Sequence, residues 1–441
     1  MQTQVRKTRS RAALLTATTC SLLIVSGTAV AAVAPTTGSG PSLAAQAWSV
    51  DLDTLTADDA GVRHSGGALR LDAAAPASGI SAVSSADAGP AAEAGAASPA
   101  LQEASGQLVA EPVALGSPAS VVAADVDATA PAGTSVLVDV RGRLADQGPD
   151  AWTEWVPAGS PLPAASETVQ ARVTLVGDSD ASPTVREVTL TPEAGRSRSL
   201  QEVAAEPMSG ERTYSIFATR EGLVGGTTAN GHVITSRDHF VALPSRRGLS
   251  SNNSGSYSVR VCAPSTGRCA YAPVWDVGPW NITDDYWNPA GTRQSWTDLP
   301  QGKPEAQAAY QDNYNGGLDG YGREVLNPAG IDLADGTFWD AVGLTNNAWT
   351  NVTYLWTGTG PRGIVRTSGG PLTVRSGPGT GTAAVGQAGN YANVVIECTA
   401  TGTTVTGTYG TSNVWDRIGP NNWIADAYVN TGSDDPVAPA C

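Results

Sequence analysis

The sequence predicts an all-β protein built from several domains. Its 441 residues suffice for two to four domains at about 150 residues each. Runs of alternating apolar and polar residues recur along the chain with turn signals between them. The chain also contains 50 Gly and 29 Pro, which favour turns over long helices. We therefore expect short strands joined by tight turns.

The first residues resemble an export signal. A basic start, MQTQVRKTRSR, precedes an apolar stretch and the A-x-A cleavage sequence Ala29-Val30-Ala31. The apolar stretch is too short and too rich in Thr and Ser for a membrane span. We expect residues 1–31 to be removed and 32–46 to form a disordered lead. The mature protein is then expected to be secreted, extracellular or associated with a bacterial cell wall, with no membrane anchor.

Residues 47–200 are predicted to form a β-sandwich accessory domain. Segments such as TSVLVDVRGRL and TVQARVTLVG alternate apolar and polar residues between turn signals. Residues 74–107 interrupt this pattern with Ala, Ser, Gly and Pro and almost no large apolar side chains. Such a stretch buries too little surface to offset its ordering entropy, so we expect a flexible insert there.

Two further units follow. Residues 213–358 are rich in aromatic side chains and short strands, with a long insertion at 281–327. That insertion contains a helix candidate, PEAQAAYQD, with Pro304 near its first turn. Long loops in compact domains are usually functional or disordered, and the aromatic residues argue against disorder. Residues 369–441 combine short strands with Gly-rich turns and have the size of a small barrel.

Four cysteines follow the signal, and an even number in an exported chain indicates two disulfides. Three pairings are formally possible. Because Cys262 and Cys269 bracket a turn-rich loop, local pairing is favoured, and Cys398 would then pair with Cys441. With three His and no C-x-x-C spacing, a zinc site is disfavoured, and we predict no metal and no cofactor.

The net charge of −15 disfavours nucleic acids and anionic membranes as partners, since these are held by clustered Lys and Arg. The sequence also lacks a phosphate-binding Gly loop followed by Lys and a G-x-S-x-G nucleophile elbow. Nucleotide chemistry and that type of serine hydrolase are therefore not expected. We expect the chain to be a monomer.

Three aspartates of the middle unit are the most informative chemical feature. Asp238, Asp276 and Asp332 each lie in or beside a short apolar run flanked by Gly or Pro. A carboxylate in such a run is costly to bury unless it is paired, hydrogen-bonded or used in chemistry. The alternative is that each Asp caps a turn and accepts backbone N–H groups. Their occurrence in one unit favours a shared cleft.

The order of four short motifs in this unit resembles the double-psi β-barrel of rare-lipoprotein-A-like, expansin-like and three-aspartate wall-active domains. The motifs are Thr228-Ala229-Asn230-Gly231, Asp238-His239 before Leu243-Pro244, Asp276-Val277-Gly278-Pro279 and Ile331-Asp332-Leu333. The resemblance implies a six-stranded double-psi β-barrel that acts on or binds polysaccharide. One extra residue between His239 and Leu243 departs from the family pattern and leaves open whether Asp238 or His239 faces the cleft. The long aromatic insertion is a second departure.

Asp276 is the predicted general acid. It follows the strand-like Val274-Trp275 and precedes Gly278-Pro279, so its carboxyl is expected at a strand end, where aromatic neighbours would raise its pKa. Glycan cleavage needs an acid for the leaving oxygen and often a second carboxylate. The predicted catalytic residues are Asp276, His239 (as a proton relay), Asp238 and Asp332. The predicted sugar-binding residues of this unit are Trp275, Trp280, Tyr286 and Trp287. Structural alternatives are a turn cap for Asp276, a hydrogen-bonded structural His239 and a buried partner role for Asp332.

The last unit resembles a bacterial SH3-like domain. LTVRSGPGTGTAAVG matches its opening strand and turn, and WDRIGPNNWIADAYV matches its closing pattern. In that family such domains commonly anchor exported enzymes to peptidoglycan. The resemblance implies a binding surface that includes Arg375 and Trp423, while Trp415 and Tyr428 belong either to that surface or to the core.

These observations lead to one main functional hypothesis and two alternatives. The main hypothesis is an exported protein that binds and cleaves peptidoglycan glycan strands, as a glycosidase or a lytic transglycosylase does. The first alternative is an expansin-like protein that binds polysaccharide without breaking bonds. The second is a secreted inhibitor or interaction protein that uses the long insertion as its contact surface.

Overall fold

The computed structural model describes residues 46–72, 104–177, 181–193 and 210–441. Strands make up 46% and helices 9% of the structure, which confirms the predicted all-β class. The described residues belong to one compact unit. The predicted signal peptide, the lead that follows it and most of the low-complexity insert lie outside the described residues.

The N-terminal strands form one antiparallel sheet. The strands are β1 (Trp48–Ser49), β2 (Val62–His64), β3 (Leu69–Leu71), β4 (Ala104–Val109), β5 (Val113–Thr129), β6 (Ser135–Gly142), β7 (Val156–Pro157), β8 (Pro161–Gly177) and β9 (Thr184–Glu193). Their order is β2-β3-β9-β5-β8-β6-β7, with β1 on β9 and β4 on β8. The long strand β5 pairs first with β8 and then, from Val121, with β9, with register shifts where it changes partner. Such irregularities bend a strand, and here the sheet encloses an apolar core that includes Leu69, Val173 and Leu190.

One predicted boundary in this unit is wrong. Residues 104–107 were expected to end the flexible insert, but they begin β4, which pairs with β8 from Ala104 to Val109. The short side chains of this segment suggested disorder. The partner strand supplies the backbone hydrogen bonds that a local reading of composition cannot detect.

The middle unit is a closed six-stranded barrel, as predicted. Its strands are β10 (Arg212–Arg220), β11 (Val241–Leu243), β12 (Ser258–Ala263), β13 (Arg268–Val277), β14 (Ala329–Leu333) and β15 (Ala348–Tyr354). They follow the order β11-β14-β10-β15-β12-β13, and pairing of β13 with β11 closes the barrel. The β10–β14 and β11–β13 pairs are parallel, whereas the others are antiparallel. Assignment to the double-psi class stays a prediction.

The long insertion joins β13 to β14 and contains the predicted helix. Helix α1 spans Glu305–Asp312, directly after Pro304, whose fixed φ suits a helix start. Asn313 ends it in the left-handed conformation at φ 55°. Single helical turns elsewhere are Ala145–Gln147, Arg246–Gly248, Tyr314–Gly317, Gly336–Ala341, Leu355–Thr357 and Asp426–Tyr428.

The C-terminal strands continue the barrel sheet. They are β16 (Arg362–Val365), β17 (Leu372–Arg375), β18 (Ala384–Ala388), β19 (Asn393–Val395), β20 (Cys398–Gly407), β21 (Gly410–Gly419), β22 (Asn422–Ala425) and β23 (Val429–Asn430). Strand β18 pairs in parallel with β13, and the sheet continues through β17, β22, β21 and β20. Strands β19, β16 and β23 form a separate small sheet. The core here includes Val374, Ile418 and Tyr271 of β13, so the unit shares packing with the barrel. Its SH3-like identity stays a prediction.

Both predicted disulfides are present. Cys262 is bonded to Cys269 across the β12–β13 hairpin, and Cys398 is bonded to Cys441 at the chain end. Disulfides persist in oxidising compartments, which agrees with an extracytoplasmic location. Within the described ranges, no helix has the length and apolar character needed to cross a membrane.

Candidate functional site

Asp276 lies near the end of β13 and is almost fully buried, with 2% of its surface exposed. Its Oδ1 accepts hydrogen bonds from the backbone N–H groups of Ala229 and Val277, each at 2.8 Å. Burial raises the pKa of Asp276 to about 6, against the lowering effect of hydrogen bonds from Glu221 and these two N–H groups. Asp276 therefore gains a proton in a pH range where most aspartates are ionised.

Asp332 lies on β14 at the same level of the barrel. Ala242 of β11 is in register with Asp276 on one side and with Asp332 on the other. Residues in register on adjacent strands project toward the same face, and two strand spacings amount to about 10 Å. The hydroxyl of Thr219 donates a short hydrogen bond to Asp332 Oδ1. The barrel thus brings Asp276 and Asp332 to the same level, with Asp332 buried to 3% exposure.

Glu221 is the acidic residue of this cluster that the sequence reasoning missed. It directly follows β10, its backbone N–H donates to Leu333 O, and it is 5% exposed. Its carboxyl interacts with that of Asp276, and its oxygens have no other hydrogen-bond partner within the described ranges. Burial, followed by the charges of Asp276 and Asp332, holds the pKa of Glu221 well above its usual range. We refer to Glu221, Asp276 and Asp332 as the carboxyl cluster.

The sequence feature that could have identified Glu221 is the same one that identified Asp276. Glu221 ends the apolar run YSIFATR and precedes the Gly-rich segment GLVGG. An acidic side chain between a strand and a Gly-rich turn is expected at a strand end. The motif order of the resembled family does not include this position, so the sequence reasoning passed over it.

Asp238 makes its contacts with residues outside the carboxyl cluster. It accepts hydrogen bonds from the backbone N–H and the hydroxyl of Thr235, both at 2.6 Å, and lies 2.7 Å from His232 Nε2. Burial acts to raise the pKa of Asp238, but the bonds from His232 and Thr235 outweigh it and lower the pKa. The ring of His232 packs against Trp275 at 4.7 Å between centroids. Asp238 is therefore an ionised partner of His232, a residue that was not among the predicted site residues.

His239 points toward the C-terminal strands. Its Nε2 lies 2.8 Å from Gln387 Oε1 of β18. Burial lowers the pKa of His239, which favours the neutral ring. The contacts therefore link His239 to β18, as in the structural alternative, and give no support to a proton relay between His239 and the carboxyl cluster. Of the adjacent pair, Asp238 faces His232 and His239 faces β18.

The predicted sugar-binding aromatics of the barrel unit are inside the protein, and this interpretation needs correction. Tyr286 and Trp287 are fully buried in the barrel core. Trp275 and Trp280 are 7% and 6% exposed, and their indole N–H groups donate to Ser254 O and Asn327 Oδ1. A sugar ring cannot stack on these faces in this conformation. Tyr286, Trp287 and Trp280 are buried because the insertion folds back onto the barrel, whereas Trp275 packs against Phe240 and Tyr391.

Arg375 and Trp423 meet on the C-terminal sheet. They are in register on β17 and β22, and Arg375 Nη1 donates to Thr382 O at 2.8 Å. Both side chains are half-buried. Trp415 is buried, and the hydroxyl of the half-buried Tyr428 donates to Thr406 O. A binding role for Arg375 and Trp423 stays a prediction.

The candidate site holds no arrangement suited to a metal ion. Among the residues with described coordinates, no group of three or more His, Cys, Asp or Glu side chains is placed to ligate one. What the carboxyl cluster can do chemically is store and donate a proton, since burial holds two of its members protonated at higher pH than usual.

Comparisons with known proteins match the barrel and a shorter segment. A family model described as a domain of unknown function, DUF8814, matches residues 212–353, which are the barrel strands and the insertion. The uncharacterized protein YraI of Bacillus subtilis (strain 168) is 44% identical over 87 residues, which cover 18% of this chain and 72% of YraI. The uncharacterized protein YraJ of the same organism is 46% identical over 86 residues, 18% of this chain and 73% of YraJ.

Proposed function

We propose that this chain, which belongs to the family of Bacillus subtilis YraI and YraJ through the segment it shares with them, is an exported cell-wall protein that binds and cleaves peptidoglycan glycan strands. The carboxyl cluster would supply the acid. The observation that carries the proposal is the grouping of three buried carboxyls, Glu221, Asp276 and Asp332, at one end of the barrel strands, where burial raises the pKa of Glu221 and Asp276.

A carboxyl of the cluster that keeps its proton near neutral pH can act as the acid in glycan cleavage. A protonated carboxyl of Glu221 or Asp276 gives its proton to the glycosidic oxygen, the C–O bond breaks, and positive charge develops on the sugar ring. Asp332, the third carboxyl of the cluster, would stabilise that charge. Either water or a hydroxyl of the same sugar then attacks the ring carbon, which gives hydrolysis or lytic transglycosylation. The carboxylate left behind takes up the proton released in that step.

Access to the cluster would come from the segment between β10 and β11. It begins with Glu221 and has Gly222, Gly225 and Gly231 at positive φ. Leu223 and Val224 in this segment are 47% and 57% exposed, so they contribute little to the core. Residues 223–227 are all exposed, whereas residues 228–230 are buried, so only the first part of the segment has the few buried contacts of a stretch that opens readily.

A second candidate is supported by a specific observation. Asp276, Asp332 and Glu221 are all nearly buried, and the four predicted sugar-stacking rings of the barrel unit are packed inside. Because these carboxyls and rings do not reach the surface, the protein can hold a glycan elsewhere on its surface without breaking it, as expansin-like barrels are thought to do. Under this version the carboxyl cluster is structural, and Arg375 and Trp423 supply part of the binding surface.

The test is to incubate the full chain with insoluble peptidoglycan and to identify soluble fragments by mass spectrometry. We expect fragments with either reducing or anhydro ends, and a loss of at least about 100-fold in Glu221→Gln or Asp276→Asn, since a general acid contributes that much or more. The rate should fall as the pH rises above about 6, because Asp276 then loses its proton.

Asp416→Asn is the matched control, because Asp416 is an equally buried carboxyl in the C-terminal unit. Fragment release that is unchanged in both cluster variants would overturn the catalytic role. Retention on peptidoglycan without any fragments would instead favour the non-cleaving candidate.

A further inference from the structure

A groove between the N-terminal sheet and the barrel insertion includes none of the site residues predicted from the sequence. Its volume is about 620 Å³, which lies within the usual range of about 300–1,000 Å³ for small-ligand sites. One wall comes from strands β6 and β8, with Leu137 and Val176, and the other comes from residues 281–321 of the insertion.

The lining combines aromatic rings with uncharged polar groups. Trp296 and Tyr321 supply the rings, and Thr283 and Ser295 supply hydroxyls whose oxygens lie 2.9 Å apart. Asn281 and Asn315 add side-chain amides. Among the described residues, no charged side chain lines the groove. This composition suits a ligand that offers apolar ring faces and hydroxyl groups but no charge.

The ring of Trp296 is held in place by its neighbours. A Cβ atom added to Gly320 would lie 3.1 and 3.2 Å from two carbons of the indole, so the ring packs directly against the Gly320 backbone. Trp296 itself has a φ of 51°, a backbone conformation that only surrounding contacts can maintain in a residue of this size. The aromatic wall is therefore already ordered before a ligand binds, which lowers the entropic cost of binding.

Buried polar contacts fix the turn that carries Gly320 and Tyr321. Asn281 Oδ1 accepts from the Gly320 N–H at 2.9 Å, and its Nδ2 donates to Glu305 Oε2 at 2.8 Å. The buried Asp319 accepts from the backbone N–H groups of Tyr321 and Arg323, both at 2.9 Å. The turn that carries Tyr321 is thus tied to helix α1 and to the end of β13.

We propose that this groove is a binding site for a neutral oligosaccharide. Sugar rings present apolar faces that pack on Trp296 and Tyr321, and their hydroxyls can both donate to and accept from Thr283 and Ser295. The described lining residues carry no charge that would compensate a buried anion, and the net charge of −15 disfavours polyanions. The site is separate from the carboxyl cluster and does not depend on cleavage.

The test measures binding of chitotetraose and of cellotetraose to the full chain by calorimetry. The two probes distinguish an N-acetylated from a plain neutral sugar, and binding of either one supports the proposal. We expect Trp296→Ala to weaken that binding at least 10-fold and Trp296→Phe to retain most of it. Gly320→Ala should weaken it as well, because the added methyl group displaces the indole.

Trp349→Ala is the control, since Trp349 is a 39% exposed tryptophan on barrel strand β15. It should bind as the unchanged protein does, and so should Asp276→Asn, whose defect is expected in cleavage alone. Absence of binding by both tetrasaccharides, or equal binding by Trp296→Ala and Trp349→Ala, would overturn the groove proposal. Failure of fragment release with intact sugar binding would overturn only the catalytic proposal.

Discussion

At the scale of single residues, buried carboxyl groups govern how this protein responds to pH. Burial raises the pKa of Asp276 to about 6 and that of Asp416, with a contribution from Asp426, to about 8. In each case the folded chain keeps its proton at a pH where the unfolded chain has lost it. Stability therefore falls as the pH rises from about 4 through the folded pKa.

Asp416 offers the clearest test of this behaviour. Its carboxyl is 1% exposed and its Oδ2 has no hydrogen-bond partner among the described residues. Between pH 5 and pH 8 we expect the free energy of unfolding to drop by several kcal/mol, since each tenfold difference in proton affinity is worth about 1.4 kcal/mol. Asp416→Asn should remove the part of that drop that Asp416 contributes, while the parts contributed by Glu221 and Asp276 remain, as measured by urea unfolding at the two pH values.

The exposed Asp125 provides the control for this measurement. Asp125→Asn should leave the difference between pH 5 and pH 8 unchanged. An identical pH dependence in Asp416→Asn and the unchanged protein would show that Asp416 does not carry the effect.

At the scale of single elements, the two disulfides constrain loops of different length. Cys262 and Cys269 are separated by 7 positions and lie opposite each other on β12 and β13, which also pair through their backbones. Cys398 and Cys441 are separated by 43 positions, and the chain end is otherwise held by few contacts, such as the Cys441 N–H to Thr399 O bond. The longer loop gains more freedom when its bond is removed.

We therefore expect different losses of stability from the two bonds. Replacing Cys398 and Cys441 with Ser should lower the free energy of unfolding by about 4 kcal/mol, against about 2.5 kcal/mol for Cys262 and Cys269. Chemical unfolding of the two double variants under non-reducing conditions measures both losses of stability. Equal losses would show that strain or residual structure, rather than loop length, determines the contribution of each bond.

At the scale of the whole molecule, one glutamate joins the N-terminal sheet to the barrel. Glu154 accepts hydrogen bonds from the indole N–H groups of Trp287 and Trp356, at 2.7 and 2.6 Å, and from Asn288 Nδ2 at 2.7 Å. The neighbouring Trp155 is part of the barrel core. The barrel unit is therefore completed by residues from before its own first strand.

Removing Glu154 should affect the whole protein. Glu154→Ala leaves the indole N–H groups of Trp287 and Trp356 without their acceptor, while Asn288 Nδ2 keeps its bond to Asp285, and each unsatisfied buried donor costs about 1–3 kcal/mol. We expect a lower midpoint of thermal unfolding and a red-shifted tryptophan emission, because Trp287 and Trp356 become more exposed to water. Glu167→Ala, at an exposed position of β8, is the matched variant and should change neither. A normal midpoint in Glu154→Ala would mean that the two units are stable independently.

The local features of this chain could be predicted because short stretches carry them. Alternation indicated the strands, Pro304 indicated the start of α1, and Cys spacing gave both disulfides. Asp276 and Asp332 were singled out because a carboxylate in an apolar run is costly wherever the run folds. The sequence by itself therefore determined the β class, the bonded cysteines and two members of the carboxyl cluster.

Only the tertiary structure decided which side chains face each other and which face water. Glu221 joins Asp276 and Asp332 because β10, β11, β13 and β14 meet in one barrel, and no local pattern encodes that register. Tyr286 and Trp287 are core residues, and Trp296 lines a groove, because the insertion folds against both the barrel and the N-terminal sheet. The physical reason is that burial and proximity depend on contacts between distant segments, whereas periodicity reports only neighbours along the chain.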